Sequence, residues 1–301
     1  MLHGNPNAFA VNPIDRANNQ RKNPDWVTAQ DNHPDAHVMI VHRGQILIER
    51  GEDRSKILWL TLAARDALPV GSCETVLLGL LDDQPVFACD ASATEEPPFA
   101  DLGGYAPLRS LAPFLTPEEL GTAGQALWLL DWHRRHQFCA EHGGETVSAE
   151  GGYKRINPKT GTEHFPRTDP VAIVLPYREG SVCLGRGPQF PRGFVSAFAG
   201  YLEPGETVEM CGARELSEET GLQALSMEYV FSQPWPFPSS LMMGFLAEVA
   251  STTLSLDTDE IEEAHWFTRE ELTKMLQGEG RFAVPPEFAI AHHLIRHWVE
   301  R

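Results

Sequence analysis

Three glutamates share one face of a helix predicted in the C-terminal half of the chain. At about 100° per residue, Glu215, Glu218 and Glu219 fall within an arc of roughly 100°. Like charges at these spacings destabilise a helix by roughly a few tenths of a kcal/mol per pair, and Arg214 alone cannot offset three carboxylates. A divalent cation such as Mg²⁺ or Mn²⁺ prefers oxygen ligands, stabilises charge on a phosphoryl group and lowers the pKa of an attacking water. The spacing therefore indicates metal-assisted phosphoryl chemistry.

The alternative for a Glu-rich helix is a solvated acidic face. The wider pattern argues against it, because nine positions over 23 residues fit G-x5-E-x7-R-E-U-x-E-E-x-G-U, in which U is aliphatic. The matching residues are Gly200, Glu206, Arg214, Glu215, Leu216, Glu218, Glu219, Gly221 and Leu222. This segment resembles the signature box of the Nudix hydrolases.

The resemblance implies a loop–helix–loop that binds divalent cations, two or more per site, and hydrolyses nucleoside diphosphates linked to another group. The metal-binding candidates that it gives are Glu215, Glu218, Glu219, Glu260 and, more weakly, the backbone carbonyl of Ala199. Arg214 would orient the helix by pairing with the box carboxylates, and either Glu206 or Glu219 is open as general base. For Glu260 the alternative is a solvated carboxylate at the end of a strand.

A second motif, S-Q-P-W-P-F-P-S-S, follows the box at 232–240. Prolines at alternate positions restrict the backbone and hold Trp235 and Phe237 extended, which suits stacking against a planar heterocycle. The alternative is a proline-rich turn with buried aromatic rings. The motif resembles the distinguishing signature of the NADH pyrophosphatase branch of the Nudix family. Segments 132–139, 164–170 and 285–292 resemble the same branch, so the likeness spans roughly residues 125–300.

That resemblance implies hydrolysis of NADH or NAD⁺ to a nicotinamide mononucleotide and AMP, and some members of the branch remove NAD caps from RNA 5′ ends. ADP-ribose is an alternative substrate for the same chemistry, and an inactive nucleotide-sensing domain is an alternative of another class. The substrate-binding residues given by position are Phe165, Tyr201, Gln233, Pro234, Trp235, Pro236, Phe237, Pro238, Ser239, Ser240 and the backbone of Ala291. For Phe165 and Tyr201, ordinary core packing is the alternative. The resemblance also implies a homodimer.

The chain departs from the branch at the zinc ribbon that often joins the two halves. Structural Zn²⁺ needs four N or S ligands, usually from two C-x2-C pairs. The first pair is reduced here to Cys139 and His142, and Asn157 and Thr160 stand at the second pair. We therefore expect a ribbon without Zn²⁺, whose turns are set by glycine, proline and local hydrogen bonds.

The apolar pattern predicts α/β (α+β) architecture around these residues, and no sequence repeat is visible. Strands are predicted at 37–48, 57–62, 75–89, 171–175, 181–185, 226–231, 241–249 and 263–267. Helices are predicted at 117–137, at 207–220 before Gly221, and at 288–299. With the resemblance, this gives an N-terminal domain (1–130), a degenerate zinc-ribbon-like connector (131–168) and a Nudix domain (169–301) whose mixed sheet is sandwiched between helices.

Composition limits the partners. The formal charge is −18, and 11 of these excess charges lie in two windows, 200–222 and 257–271. Such a balance argues against a surface that grips a phosphate backbone directly. No apolar run of signal-peptide or membrane-span length is seen, and five scattered cysteines suit reduced thiols. We expect a cytoplasmic protein without a membrane partner.

Overall fold

The computed structural model describes residues 5–49, 51, 55–69, 71 and 73–301. The chain divides into two compact units. We call residues 11–167 with 236–239 the N-terminal unit, and residues 5–10, 168–235 and 240–301 the C-terminal unit. The aromatic motif at 232–240 is therefore shared between the two units. In the described residues, no helix is long and apolar enough to cross a membrane.

Ten strands and four α-helices make up the described part of the N-terminal unit. The strands are β1 (His37–His42), β2 (Gln45–Glu49), β3 (Lys56–Ile57), β4 (Trp59–Thr61), β5 (Glu74–Leu81), β6 (Gln84–Asp90), β7 (Gly104–Pro107), β8 (Val147–Ala149), β9 (Lys154–Ile156) and β10 (Glu163–His164). The helices are α1 (Pro24–Gln30), α2 (Leu62–Asp66), α3 (Leu108–Leu111) and α4 (Pro117–Arg135). The main sheet has the order β3-β2-β1-β6-β5, with β4 paired to β1 and β7 to β2.

The predicted long helix is confirmed as α4. The hydroxyl of Thr116 accepts from the backbone N–H of Glu119, and the Glu119 carboxylate accepts from the N–H of Thr116, so both ends of a capping box are present. The connector after it contains the small antiparallel sheet β10-β9-β8. Its strands are only two or three residues long, which is too short to show an alternating pattern in the sequence.

The described C-terminal unit has six strands and three helices. They are β11 (Asp169–Arg178), β12 (Ser181–Arg186), β13 (Phe198–Tyr201), β14 (Ala224–Trp235), β15 (Ser240–Val249), β16 (Glu263–Thr268), α5 (Val208–Thr220), α6 (Arg269–Leu276) and α7 (Ile290–Glu300). The sheet order is β14-β15-β11-β12-β16, with β13 paired to β11. Strands β11 and β15 are parallel and the other pairs are antiparallel.

Alternation along β11 divides the core of this unit into two layers. Val174 packs in one cluster with Leu216 of α5. Ile173 and Leu175 pack in the other with Leu294 of α7. Because successive side chains of a strand point to opposite faces, the sheet carries helices on both sides. The predicted mixed sheet between helices is confirmed.

The two units repeat one topology. In chain order, β1, β2, β4, α2, β5, β6 and β7 correspond to β11, β12, β13, α5, β14, β15 and β16. Every pairing among these strands is matched in sense, including the parallel pairs β1–β6 and β11–β15. The helix that differs most is α2, with 5 residues against 13 in α5. The two units thus share a topology although no sequence repeat is visible. Topology depends on the apolar pattern and the turn positions rather than on residue identity.

Four helices were not predicted. Helix α1 lies in the polar N-terminal segment, α2 and α3 are only five and four residues long, and α6 begins within the second acidic window. Helix α6 buries only Leu272 and Met275, so its apolar period is weak, although Thr268 and Glu271 form a capping box at its start.

The expectation of five reduced thiols is wrong for Cys73 and Cys89, which form a disulfide in this structure. Pairing of β5 with β6 places Thr75 opposite Cys89 and brings the two cysteine Cα atoms to 6.0 Å. Their separation of 16 residues in sequence gave no sign of this. Cys139, Cys183 and Cys211 are free and buried.

Helix α7 carries a buried histidine whose protonation opposes folding. His293 is buried, and burial is the main cause that lowers its pKa from the usual value of 6.5. The charges of Arg296 and His292 act in the same direction and outweigh the opposing backbone and carboxylate of Glu287. The unfolded chain therefore binds a proton more readily than the folded one below about pH 6.5.

We expect the free energy of unfolding to fall as pH decreases from about 7 to about 5.5, in part because His293 must be protonated in a buried position. His293→Leu should reduce that dependence without destabilising the protein at neutral pH, since it removes polar atoms rather than a partner. Urea denaturation at several pH values measures this. His297→Leu, on the exposed side of α7, is the control, and an unchanged pH profile in His293→Leu would contradict the prediction.

Candidate active site

Helix α5 has a capping residue at each end. The hydroxyl of Thr207 accepts a hydrogen bond from the N–H of Met210 at 3.2 Å, and Gly221 ends the helix in the left-handed conformation with φ of 73°. Leu216 is fully buried against the sheet. The orientation of α5 that buries Leu216 leaves Glu215 and Glu218 partly accessible on its flank.

One arginine holds the acidic face together. Nε and an Nη of Arg214 donate to the two carboxylate oxygens of Glu206 at 2.6 and 3.0 Å. Its other Nη donates to Glu215 and Glu218, both at 2.9 Å. Arg214 also donates to the backbone carbonyl of Tyr201 at 3.1 Å. A planar guanidinium with five N–H donors can make these contacts simultaneously, whereas an ammonium group cannot.

The carboxylates of the site differ in their ease of ionisation. The Arg214 guanidinium, helped by the backbone N–H of Glu203, lowers the pKa of Glu206 to about 2. Burial raises the pKa of Glu215, although Arg214 opposes the effect. Glu206 is therefore ionised and fully engaged at neutral pH.

Glu219 is the least compensated carboxylate. It is 8% exposed, and its Oε2 is buried without a hydrogen-bond partner among the described residues. Burial, followed by the negative charges of Glu215, Glu260 and Glu218, raises its pKa to about 8. A buried carboxylate oxygen without a donor is costly unless a cation or a proton neutralises it.

The second acidic window reaches this site through the backbone. The N–H of Ser255 donates to the carbonyl of Thr220 at 2.9 Å, and the N–H of Asp257 donates to that of Glu219 at 3.1 Å. These bonds attach the loop that carries Glu260 to the C-terminal end of α5. Glu262 and Glu263 of the same window bind Arg186 at 2.5 and 2.6 Å, so they stabilise the loop and β16.

Gly200 allows the Glu215 carboxylate to approach the sheet. A Cβ at this position would lie 1.8 Å from Cδ of Glu215, which no real structure tolerates. The preceding residue, Ala199, pairs with Ile173 in the β11–β13 ladder. The first glycine of the box is therefore required by close packing against a carboxylate rather than by an unusual backbone angle.

The residues fit a divalent cation in their chemistry. The orphaned Oε2 of Glu219 lies among three further carboxylates that raise its pKa, and hard cations bind such oxygens. No group of three His, Cys, Asp or Glu side chains in the described chain is already arranged to hold a metal. Glu215 and Glu218 are turned instead towards Arg214, so we expect a small side-chain movement on binding.

The aromatic rings of the 232–240 motif contact other side chains of the protein. The Trp235 ring stacks on Phe288, with centroids at 6.2 Å and planes at 13°, and lies edge-on to Phe9. In the N-terminal unit, the guanidinium of Arg109 lies 4.8 Å from the centroid of Phe237. Prediction from sequence identified neither Phe288 nor Arg109 as a partner, because neither contact leaves a local pattern.

The other predicted substrate residues fall into an exposed and a buried set. Phe165 in the N-terminal unit and Tyr201 in the C-terminal unit are 60% and 59% exposed, so neither ring is packed in a core. The Tyr201 hydroxyl lies 3.3 Å from that of Ser240. Gln233 and Ala291 are buried. The contacts of these residues with a substrate stay predictions.

Three family models match successive parts of the chain. They are described as a NADH pyrophosphatase-like rudimentary NUDIX domain (35–132), a NADH pyrophosphatase zinc ribbon domain (134–165) and a NUDIX domain (166–285). The NAD-capped RNA hydrolase NudC of Deinococcus radiodurans is 35% identical over 271 residues, covering 87% of this chain and 87% of that protein. The chain belongs to the Nudix hydrolases. Within them, it belongs to the NADH pyrophosphatase branch.

Two further relatives are similar to smaller parts of this Nudix chain. The human NAD-capped RNA hydrolase NUDT12 is 45% identical over 197 residues, which cover 62% of this chain and 43% of NUDT12. The mouse mitochondrial NAD(P)H pyrophosphatase NUDT13 is 37% identical over 253 residues, covering 75% of this chain and 72% of that protein. The chain thus spans less than half the length of NUDT12. The rudimentary Nudix match agrees with the repeated topology and the short α2.

Gly200→Ala should weaken Mn²⁺ binding by about tenfold or more, because the new methyl group must displace the Glu215 carboxylate. Isothermal titration with Mn²⁺ measures the affinity. In the control Gly187→Ala, the new Cβ would meet only the movable side chain of exposed Gln189, so the affinity should not change. Wild-type affinity in Gly200→Ala would show that the position of Glu215 does not matter for the metal.

Proposed function

We propose that this protein is a divalent-metal-dependent diphosphatase that hydrolyses NADH or NAD⁺ to a nicotinamide mononucleotide and AMP. The observation that carries the proposal is the orphaned, buried carboxylate of Glu219 beside Glu215, Glu218 and Glu260. The names of its relatives, NAD-capped RNA hydrolase and NAD(P)H pyrophosphatase, support a dinucleotide pyrophosphate as the substrate.

In the proposed reaction, water attacks one phosphorus, the bond from that phosphorus to the bridging oxygen breaks, and the proton of the water passes to a carboxylate. Bound Mg²⁺ or Mn²⁺, two or more per site, would neutralise the bridging and leaving oxygens. Glu215, Glu218, Glu219, Glu260 and the carbonyl of Ala199 are the groups that would hold the cations. Arg214 orients Glu215 and Glu218 and occupies both oxygens of Glu206. Of the two candidate bases, Glu206 has both oxygens bound by Arg214, whereas Oε2 of Glu219 has no hydrogen-bond partner in the described chain, so we assign the proton acceptor to Glu219.

The substrate range depends on the groups that surround the pyrophosphate. The exposed rings of Phe165 and Tyr201 suit stacking on a base or on nicotinamide. Removal of NAD caps from RNA is the second candidate, because it is named for two of the relatives. With a charge of −18, contact with RNA would be confined to the cap and a few nucleotides. ADP-ribose, which lacks nicotinamide, tests whether the enzyme requires that ring. A role in nucleotide sensing without catalysis is disfavoured because every carboxylate of the box is present.

Incubation of the protein with NADH and Mn²⁺ should yield AMP and reduced nicotinamide mononucleotide in equal amounts. Chromatography of the products measures this, and kcat/KM for NAD⁺, ADP-ribose and a NAD-capped oligonucleotide ranks the substrates. Glu219→Gln should lower kcat by about a hundredfold or more, since even groups that merely support a metal ligand contribute 10–100-fold. Turnover near the wild-type value in Glu219→Gln, with a normal circular dichroism spectrum, would remove the central claim.

We also propose that the connector folds without Zn²⁺. At the positions of the four ribbon ligands the chain has Cys139, His142, Asn157 and Thr160. This donor set does not fit a structural Zn²⁺, even though the zinc ribbon family model matches this segment. The side-chain N–H of Asn157 donates to the carbonyl of Gly143 at 3.1 Å and links the two loops directly.

A buried arginine supplies a second link in the connector. Nε and an Nη of Arg155 donate to the hydroxyl and carbonyl of Thr146, both at 2.7 Å, and its other Nη contacts Nδ1 of His133 on α4 at 2.7 Å. These bonds join β9 to the loop before β8 and to the long helix. They stabilise the connector at a position next to the ribbon-ligand loops.

Elemental analysis of the purified protein should give well below one Zn²⁺ per chain. Arg155→Met should lower the free energy of unfolding by about 3 kcal/mol, because it leaves buried partners without a donor. The control Lys159→Met changes an exposed residue of the same connector. One zinc per chain that survives dialysis against a chelator would overturn the metal-free ribbon.

We also propose three domains, a homodimer and a cytoplasmic location. The boundaries 1–130, 131–168 and 169–301 describe the domains expected from the sequence, and the family models at 35–132, 134–165 and 166–285 support a similar order. The homodimer rests on the family resemblance. The cytoplasmic location rests on the composition of the chain.

A further inference from the structure

Gln233 lies in the aromatic motif, but its side chain is completely engaged by the protein backbone. It is 0% exposed. Its Nε2 donates to the carbonyl of Phe288 at 2.7 Å and to that of Ala8 at 3.0 Å, and its Oε1 accepts from the N–H of Ile290 at 2.8 Å. A glutamine amide has two N–H donors. Both are used here, so none is left for a ligand.

The bond to Ile290 caps a helix that lacks a cap of its own. Helix α7 begins at Ile290, and its N-cap residue is Ala289, which has no side-chain oxygen to accept from the first turn. Strand β14 supplies that acceptor through Gln233. The start of α7 therefore depends on a residue 57 positions earlier in the chain.

Strand β14 also contacts the turn before α7 through a second residue, Trp235. Gln233 and Trp235 are two residues apart on β14, so their side chains lie on one face of the strand. Gln233 binds the carbonyl of Phe288, and Trp235 stacks on the Phe288 ring. Opposite Trp235 in the β14–β15 ladder is Ser240, whose hydroxyl lies 3.3 Å from that of Tyr201.

We propose that Gln233 is a positioning residue, which sets the place of Trp235, Phe288 and the first turn of α7 for the dinucleotide without touching it. The inference rests on the proposed function, because it assigns this part of the C-terminal unit to substrate binding. It gives the glutamine of the motif a role different from that of the aromatic residues around it. Loss of the three hydrogen bonds frees the turn at 286–290 and weakens substrate binding, while the carboxylates on α5 keep their arrangement.

The test compares Gln233→Met with Gln223→Met. Methionine is close to glutamine in length and makes none of the three hydrogen bonds, and Gln223 is an exposed residue of the same unit. In Gln233→Met, amide exchange of the peptide covering 286–292 should become faster in the substrate-free protein. KM for NADH should rise about tenfold or more while kcat changes less than about threefold, and the Mn²⁺ concentration for half-activation should stay the same. Gln223→Met should leave all of these unchanged.

Each other outcome overturns the inference. A raised KM with unchanged exchange would mean that Gln233 contacts the substrate directly. Faster exchange with unchanged KM would mean that the cap is structural only. Failure of the wild-type protein to hydrolyse NADH would instead refute the proposed function. In that case, NADH binding followed by its fluorescence replaces KM, and equal affinity in wild type and Gln233→Met would refute the positioning role as well.

Discussion

The candidate active site depends on the hydrogen bonds and ion pairs made by the guanidinium of Arg214. It binds Glu206, Glu215, Glu218 and the carbonyl of Tyr201 with its donors, and so joins the loop before α5, the helix itself and the end of β13. Without it, the carboxylates of Glu206, Glu215 and Glu218 would repel one another. Because Arg214 does not reach the buried Oε2 of Glu219, the neutralisation is incomplete. The buried Oε2 of Glu219 therefore still needs a proton or a cation, which is why we propose a cation site on this helix.

The repeated topology shows how the candidate site can be present in one unit and absent from its counterpart. Both units have a parallel central pair flanked by antiparallel strands, and in both a helix follows the strand that pairs with the first central strand. In the N-terminal unit, that helix is α2, whose sequence Leu-Ala-Ala-Arg-Asp contains no glutamate. The strands are kept by their apolar pattern, whereas the carboxylates depend on individual residues. The same topology can therefore occur with or without this set of carboxylates.

The aromatic motif shows a similar division of roles within nine residues. Its prolines give an extended backbone, but its side chains have different surroundings: Gln233 is bonded to backbone groups, Trp235 lies against Phe288, and Phe237 lies near Arg109. The motif points only to a region that we propose for substrate binding. It does not distinguish a residue that contacts the substrate from one that holds the contacting residue in place.

The sequence by itself determined the elements and residues whose signals are local. These include α4 and α5 with their caps, the apolar strands of both units, the spacing of Glu215, Glu218 and Glu219, and the loss of three of the four ribbon cysteines. Such features depend on residues within about one or two turns of each other, so the pattern contains them. The tertiary structure alone decided the placement of Glu260 beside α5, the capping of α7 by Gln233, the disulfide between Cys73 and Cys89, the link made by Arg155 and the repeat of topology. Each of these depends on strand pairing or packing between segments far apart in the chain, where close approach and burial, rather than sequence spacing, select the partner.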